Sequence, residues 1–456
     1  MREMKDSGIP WIGKIPKDWT NKRIKYLLLA RDGGSWGTDP TTYNKGTICM
    51  RIADFDFDNG EFAKKPVESL TRRVYTKRQI QKLQLRENDI CIEKSGGGEK
   101  TPVGRAVIFN KSYLALFANF MDRLRFDSSK VNPVFAEYWF RAWYSCKGSP
   151  YYINQTIGIQ NINLTLMMSK EKMFFPPVQE QQCITDFLDT KCARIDSIRK
   201  NVEAEIEALK QYKQSVITEA VTKGLDKNVE MKDSEIPWVG KIPKGWKIGK
   251  IKYITDYSLN YPIGDGDHGL IKSSEYQMEG IPYIRVLNLT WGFGLDLKNI
   301  VYISEKQNRS IQGSQLKPGD ILIAKTGATI GKTAIVPATL PISNTTSHVG
   351  KISVSKEHCA MYFYYQMNSS IVQKQVYDIS SMQSTRPELG IEGLKNLVIV
   401  IPPKLEQEKI STYIQDKVTR INLIIKQKKG ALTNLDSYKK SLIYEYVTGK
   451  KEVPAV

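Results

Sequence analysis

The sequence predicts an α+β chain: two related α/β domains with pseudo-two-fold symmetry, separated by a long antiparallel two-helix coiled coil. Three observations carry this. A polar helical stretch of unusual length occurs twice, at 178–222 and 404–448, without proline in either copy. A proline- and tryptophan-rich phrase opens each half, MKDSGIPWIGKIPKDW at 4–19 and MKDSEIPWVGKIPKGW at 231–246. Between phrase and helix lie about 150 residues of short apolar runs broken by Gly, Asn and Asp, the pattern of strands and turns.

The helical stretches set the frame. Each follows a Pro-Pro pair, Pro176-Pro177 and Pro402-Pro403, and the copies keep a constant offset of 226 residues, so that Gln181, Ile195, Tyr212 and Val221 recur as Gln407, Ile421, Tyr438 and Val447. An ungapped register over this length implies that the spacing itself matters. Leu188, Ile195, Val202, Leu209 and Val216 recur every seven residues, with Ile198 and Tyr212 three positions after two of them. The second copy keeps Ile414, Ile421, Leu435 and Leu442, with Ile424 and Tyr438, and puts Lys428 where a seam residue belongs. The two seams are predicted to pair with each other, antiparallel; an amphipathic helix packed on its own domain is the alternative. The expected segments are 1–177, a first globular domain with its arm; 178–225, the central helix; 226–403, a second domain with its arm; and 404–456, the distal helix and tail.

The opening phrases contain too much Pro and Gly for a helix, and Trp11, Trp19, Trp238 and Trp246 supply rigid anchors. They predict an extended arm strapped over its own domain or a helix end. In the inserts, Gly46, Arg51 and Asp54 answer Gly280, Arg285 and Asn288, while Asp89, Lys94 and Gly96 answer Asp320, Lys325 and Gly327. The halves therefore share a fold and differ in loops.

Charge limits the function. Lys and Arg number 67 against 48 Asp and Glu, a formal +19, and such a field attracts polyanions, nucleic acid first. Six cysteines without a C-x-x-C pair and only three histidines argue against a zinc site and for reduced thiols inside a cell. No apolar run reaches the ~20 residues of a membrane span, and the N-terminus lacks a signal-peptide core, so a cytoplasmic location is expected.

Motifs for catalysis come close and miss. GATIGKT at 327–333 has three residues, not four, between its first Gly and Gly-Lys, unlike a phosphate-binding loop. SGGGEKTPVG at 95–104 lacks dinucleotide-loop spacing, and NPVF at 132–135 is similar to an amino-methyltransferase loop but has Val134 in place of its second Pro. No zinc-protease helix or nucleophile elbow is present. No catalytic or metal-ligating residue is assigned.

Recognition chemistry is better represented. Lys94, Ser95, Lys100 and Arg105 lie on or beside one Gly-rich loop, and Lys325, Thr326, Thr329 and Lys332 on another. Such loops bring amides, hydroxyls and cations to phosphates. Asn154, Gln155, Gln160 and Asn161, with Gln383, Ser384 and Arg386, are residue types that bond base edges. Arg51, Arg285 and His268 complete the DNA-binding candidates.

Together, the two IPxxGxIPxxW-like openings, the G-D-I-L-I-x-K-[ST]-G-like strand and loop, and the two Pro-Pro-x-x-E-Q helices resemble the specificity subunit of Type I restriction-modification systems across essentially the whole chain. The resemblance implies two target-recognition domains, each reading half of a split site in double-stranded DNA, with the helices as spacer. It implies two methyltransferase subunits and, in the full complex, two restriction subunits as partners. It also implies a chain that binds no cofactor and catalyses nothing, S-adenosylmethionine, ATP and Mg being used by the partners. A coiled-coil scaffold whose inserts bind protein is the alternative.

Overall fold

The computed structural model describes residues 2–156, 158–291, 294–381 and 387–454. The chain divides into two compact units: unit 1 is 1–202 with 430–456, and unit 2 is 203–429. Each takes part of each long helix, Val178–Lys223 and Lys404–Val447, and the second runs unbroken through Gly430.

Unit 1 begins with its arm folded as a hairpin, Met4–Asp6 against Lys14–Pro16. Trp19 is buried with its ring edge-on to Phe135. The end of the distal helix holds the arm: the Tyr444 hydroxyl donates to the carbonyls of Trp11 and Ile12, and Lys450 Nζ to those of Ile12 and Lys14. Gly449, at φ +68°, permits this approach, because a Cβ there would sit 2.4 Å from Pro16. Both arm and helix therefore have a buried reason for their sequence.

The main sheet of unit 1 has the order Leu28–Gly33, Met121–Phe126, Ile90–Glu93, Ala106–Ile108, Glu61–Phe62, Phe55–Asp56. Its central strand ICIE is buried throughout, which is why it reads as an apolar run rather than an alternation. A second sheet orders Ala115–Phe117, Thr47–Met50 and Arg72–Arg73. The helix Pro133–Ser145 covers the core with Phe135, Trp139, Phe140 and Trp143.

Unit 2 repeats the plan with two four-stranded sheets. Its hairpin is Met231–Asp233 with Lys241–Pro243, and its buried strand Ile321–Ala324 lies between Val349–Ile352 and Thr333–Ile335, with Ile263–Asp265 at the edge. Val301–Ile303, Ile281–Ile284, Ser343–Thr345 and Gln315–Leu316 form the second sheet.

Several shared motifs are main-chain fasteners. Gln181 takes a bond from the amide of Asn132 and gives one to the Pro176 carbonyl; Gln407 does the same between Cys359 and Pro402, each bond 2.8 Å. The Pro-Pro-x-x-E-Q motif thus locks the start of a long helix to its neighbour. The asparagine of NPVF caps a helix through the amides of Val134 and Phe135. GATIGKT forms a short 3-10 turn leading into a strand, without the helix a phosphate-binding loop would open. Asp54 and Asn288 accept from the amides of Arg51 and Arg285, closing the same turn in each unit.

The helices pair antiparallel within each unit. In unit 1 Phe187 packs on Tyr446, Asp196 binds Lys439, and Arg199 binds Asp436, so numbers rise along one helix as they fall along the other. In unit 2 Glu205 binds Lys428, while Ile217, Ala220 and Val221 share a core with Ile410, Ile414 and Val418. Leu188, Ile195, Val216, Ile414, Ile421 and Leu442 are buried as expected, with Val202, Leu209 and Leu435 half-buried.

The phase of the second seam position differs from expectation. Ile198, Tyr212, Ile424 and Tyr438 are exposed; the buried residues come four positions after the first seam, not three, at Cys192, Ile206, Lys213, Ala220, Val418, Ile425, Lys439 and Tyr446. The three-residue step would have buried Lys191, Glu205 and Glu219 on the central helix, and ions without partners are far more costly to desolvate than Cys, Ile or Ala.

Candidate nucleic-acid interface

In unit 1 the Gly-rich loop leaves the buried strand Ile90–Glu93 and immediately joins a small sheet. Ser95–Gly96 pairs with Ile159–Ile162, which pairs with Ile153–Thr156. Ser95, Asn161 and Asn154 fall in one rank, and Gly96, Gln160 and Gln155 in the next. Residues sixty positions apart in sequence thus become neighbours. Asn154 and Asn161 are exposed, and Ser95 Oγ donates to Asn161 Oδ1 at 2.6 Å, leaving the Asn161 amide N–H groups facing outward chemistry. Beside them an open cleft of about 620 Å³ is lined by Gly96, Gly97, Gly98, Lys100 and Phe120. Lys100 is exposed at the turn closed by Gly98 and Thr101.

Other candidates serve the fold. Arg105 makes a bidentate pair with buried Glu93, both bonds 2.9 Å, and its guanidinium lies 3.7 Å over the Phe57 ring. Gln160 is buried and accepts from the Val103 amide. Lys94 is half-buried at 3.2 Å from Asp122, which also binds Arg31 at 2.8 Å. Arg51 lies 3.5 Å from Asp54, the carboxylate that Lys65 also holds.

Unit 2 brings the same two segments together with different residues. Thr326 bridges Glu388, and the Gly327 amide donates to Pro387, so the segment before the distal helix again returns to the Gly-rich loop. Gln383, Ser384 and Arg386 lie outside the described residues. Lys325 is buried and ion-paired to Asp265, with Glu388 at 3.9 Å, and is not a surface cation. His268 is largely exposed with its Nε2 3.2 Å from the same Asp265, and Thr326 Oγ1 meets His348 Nδ1 at 3.0 Å. Thr329 and Lys332 are half-buried on the turn. Arg285 donates to the Asn299 carbonyl and lies against Tyr276.

The acids were not legible as site residues, yet their register is reciprocal. Asp122 stands opposite Gly33 and Ile92; in unit 2 the corresponding pair is Gly350, opposite Ile323, and Asp265. The carboxylate that holds the loop lysine has moved to the adjacent strand, and a glycine stands in the place it vacated. A Cβ on Gly33 would lie 3.6 Å from Lys94 Nζ, and one on Gly350 3.2 Å from Lys325 Cδ.

Among the described residues no group of three or more His, Cys, Asp or Glu is placed to hold a metal, and no helix is long and apolar enough to cross a membrane.

A duplicated mixed fold, with paired polar loops on each unit and a long helix closing each, defines the class of DNA specificity domains. The chain belongs to the family described as Type I restriction modification DNA specificity domain, whose model matches residues 16–208 and again 243–434. Its relatives include the Type I restriction enzyme EcoBI specificity subunit of Escherichia coli, 28% identical over 60% of this chain and 57% of that one. Another is the putative type I restriction enzyme MjaX specificity subunit of Methanocaldococcus jannaschii, 24% identical over 97% and 96% of the two chains. The fold is similar to a chain solved in a study of complex assembly and conformational transition of the type I R-M system, at TM-score 0.68, 15% identity, 96% of this chain and 99% of that one. It is also similar to the HsdS subunit from Thermoanaerobacter tengcongensis, at TM-score 0.50, 14% identity, 96% and 98%.

Proposed function

We propose that each unit reads one half of a split site in double-stranded DNA, and that the chain is the non-catalytic, cytoplasmic specificity subunit on which methyltransferase and restriction subunits assemble. The observation that carries this is the rank formed by Ser95, Asn154 and Asn161 beside a Gly-rich cleft, recurring in plan where Thr326 meets Glu388. Exposed amides suit adenine N6 and N7 in the major groove, while loop amides and Lys100 suit the flanking phosphates. Family membership and the +19 charge support the same reading.

Partner docking is supported by the residues that left the seam. Each unit turns an Ile and a Tyr outward from its helix pair, Ile198 with Tyr438 and Ile424 with Tyr212. Methyl transfer from S-adenosylmethionine, and any step using ATP and Mg, belongs to the partners. The helices act as the ruler between half-sites, and the bases between go unread. Stoichiometry in this reading is two methyltransferase subunits per chain, joined by two restriction subunits in the full complex.

The test is selection of duplexes from a random pool by the chain purified with its methyltransferase subunit. Two short fixed motifs separated by a constant unselected gap, with affinity falling steeply as salt rises, is the expected result. Binding without sequence preference overturns the reading.

A further inference from the structure

Among the described residues the two most exposed large apolar side chains are Tyr43, at 100%, and Met278, at 92%. They occupy the same place in the two units. Each lies on the loop between the strand that ends beside the recognition lysine and the next buried strand: 34–46 ahead of Thr47–Met50 in unit 1, and 266–280 ahead of Ile281–Ile284 in unit 2. Glycines pin both roots by close approach. A Cβ on Gly34 would lie 2.1 Å from the Ala118 carbonyl oxygen, and one on Gly266 1.9 Å from the Thr346 carbonyl carbon. At the other root, Gly46 and Gly280 have φ of +71° and +126°, and a Cβ would lie 2.7 Å from the Arg73 oxygen and 2.6 Å from that of Ile303. The roots are alike, while the loops between them differ in length and sequence.

The tips are built to face outward. Tyr43 sits on a turn closed between Thr41 and Asn44, and Asn44 Oδ1 accepts from the Gly46 amide at 3.0 Å. Just before Met278, Gln277 and Tyr302 exchange main-chain bonds of 2.8 and 3.1 Å. Neither tip side chain contributes to a core, although burying one would be worth about 1.5–3 kcal/mol.

In unit 1 the loop starts at the cleft and ends away from it. The Ser35 amide donates to the carbonyl of Phe117, which stands opposite Met50. By Thr38, bridged to Val74, the chain has reached the far end of the same strand, where Arg73 pairs with Thr47. Ile52, just past that strand, lines the cleft. The stretch from Gly46 to Ile52 spans about 20 Å at about 3.3 Å per residue, close to half of the ~34 Å turn of B-DNA. A duplex lying along this strand with its major groove at the cleft turns its minor groove toward the tip.

We propose that Tyr43 and Met278 are DNA wedges, each entering the minor groove beside its own half-site and prying a base step apart. The inference deepens the proposed DNA reading and rests on it. A protein that docked on both tips would require the same side chain twice; a base step accepts an aromatic ring or a flexible apolar chain alike. Opening one step also loosens the adjoining pairs, from which a partner must extrude its target base. Lys45 flanks Tyr43, whereas Glu279 flanks Met278, so the first wedge should hold DNA more strongly.

The experiment uses the chain in complex with its methyltransferase subunit, and duplexes carrying the selected split motif with a donor and an acceptor dye flanking one half-site or the other. The parent complex should shorten the dye separation across both half-sites. Tyr43→Ser should restore the free-duplex separation across one half-site only and weaken binding about tenfold, the worth of one stacked base. Tyr43→Phe should keep the bend. Met278→Ser should straighten the other half-site with a smaller loss of affinity, and thermal unfolding of all three variants should match the parent, as for other exposed substitutions. A parent complex that selects no split motif overturns the DNA reading and the wedges together. A selected motif whose dye separations are the same in the parent and both serine variants overturns the wedges alone. So does loss of the methyltransferase subunit from either serine variant on co-purification, which would make the tips protein contacts.

Discussion

Lys439 in unit 1 and Lys213 in unit 2 hold the same step of the same helical repeat and are similarly buried, at 6% and 8% exposure, yet their surroundings are opposite. Lys439 lies between both oxygens of Asp196, at 2.6 and 2.7 Å, and the Asp58 carbonyl. Lys213 lines a cavity together with Lys210, one turn away on the same helix, and with Asn422, which stands where Asp196 would be. The apolar seam and the glutamine fasteners kept their chemistry between the halves, while the charges around the helices were exchanged. What the two units share therefore belongs to the scaffold.

The largest effect separating the two lysines is expected from removing each in turn. Lys439→Met leaves Asp196 partly buried without its cation and should cost about 2–3 kcal/mol, below the full buried-pair cost because Asp196 is partly solvated. Lys213→Met removes a charge that burial already disfavours, lowering its pKa to about 8, and should cost less than Lys439→Met. Equal losses in chemical denaturation of the two variants would erase the contrast.

The exchange of Gly and Asp between neighbouring strands offers a sharper test of equivalence. Asp122→Gly should destabilise unit 1 by about 1–2 kcal/mol through the lost ion pair with Lys94 and the lost charged hydrogen bond from Arg31. Adding Gly33→Asp copies unit 2 and should recover about half of that loss. A double variant no more stable than the single one means the strands are not equivalent there.

A buried carboxyl gives unit 1 a pH effect of its own. Burial raises Glu137 to about 8, opposed in part by Arg141, and its counterpart in unit 2 by helix register is Tyr364. A carboxyl whose folded value is raised binds more protons folded than unfolded between about 4.5 and 8, so its contribution to stability is lost as pH climbs through that window. Glu137→Gln should therefore gain on the parent chain steadily from pH 5 to 8 in thermal unfolding. A constant difference across that range contradicts the assignment.

The smallest effect on stability is expected at the recognition face. Asn161→Ala should change the unfolding free energy by no more than about 0.5 kcal/mol, as exposed substitutions do, while relaxing selectivity at one base pair of one half-site. Selection from a random pool would read the second part, and an unchanged motif would remove Asn161 from the interface.

Much of the architecture is legible in the sequence because it is written twice. The offset of 226 residues fixed the helices, and the runs ENDICIEK and GDILIAKT fixed the buried strands. The seam was harder: Ile198 is more apolar than Arg199, and only the acids brought across from other elements, Asp58 and Asp436, make the arginine tolerable there. The candidate site was half legible. Loop composition singled out Ser95, Asn154 and Asn161, which meet in one rank. It could not tell Lys100, which stays in solvent, from Lys325 or Arg105, whose carboxylates arrive from a neighbouring strand or from the opposite end of their own loop. Residue type gives a side chain's chemistry, whereas strand register decides whether a partner already claims it.

The proposed function assigns the two units different half-sites. Its most direct test is co-expression of the chain with its methyltransferase subunit in a methylation-free host, with adenine methylation mapped along the whole genome. Methylation is expected at one bipartite motif with a fixed unread gap, with loss of selectivity in only one half when Asn161 is changed. A stable complex that leaves the genome unmodified, or methylates a single uninterrupted motif, would contradict it.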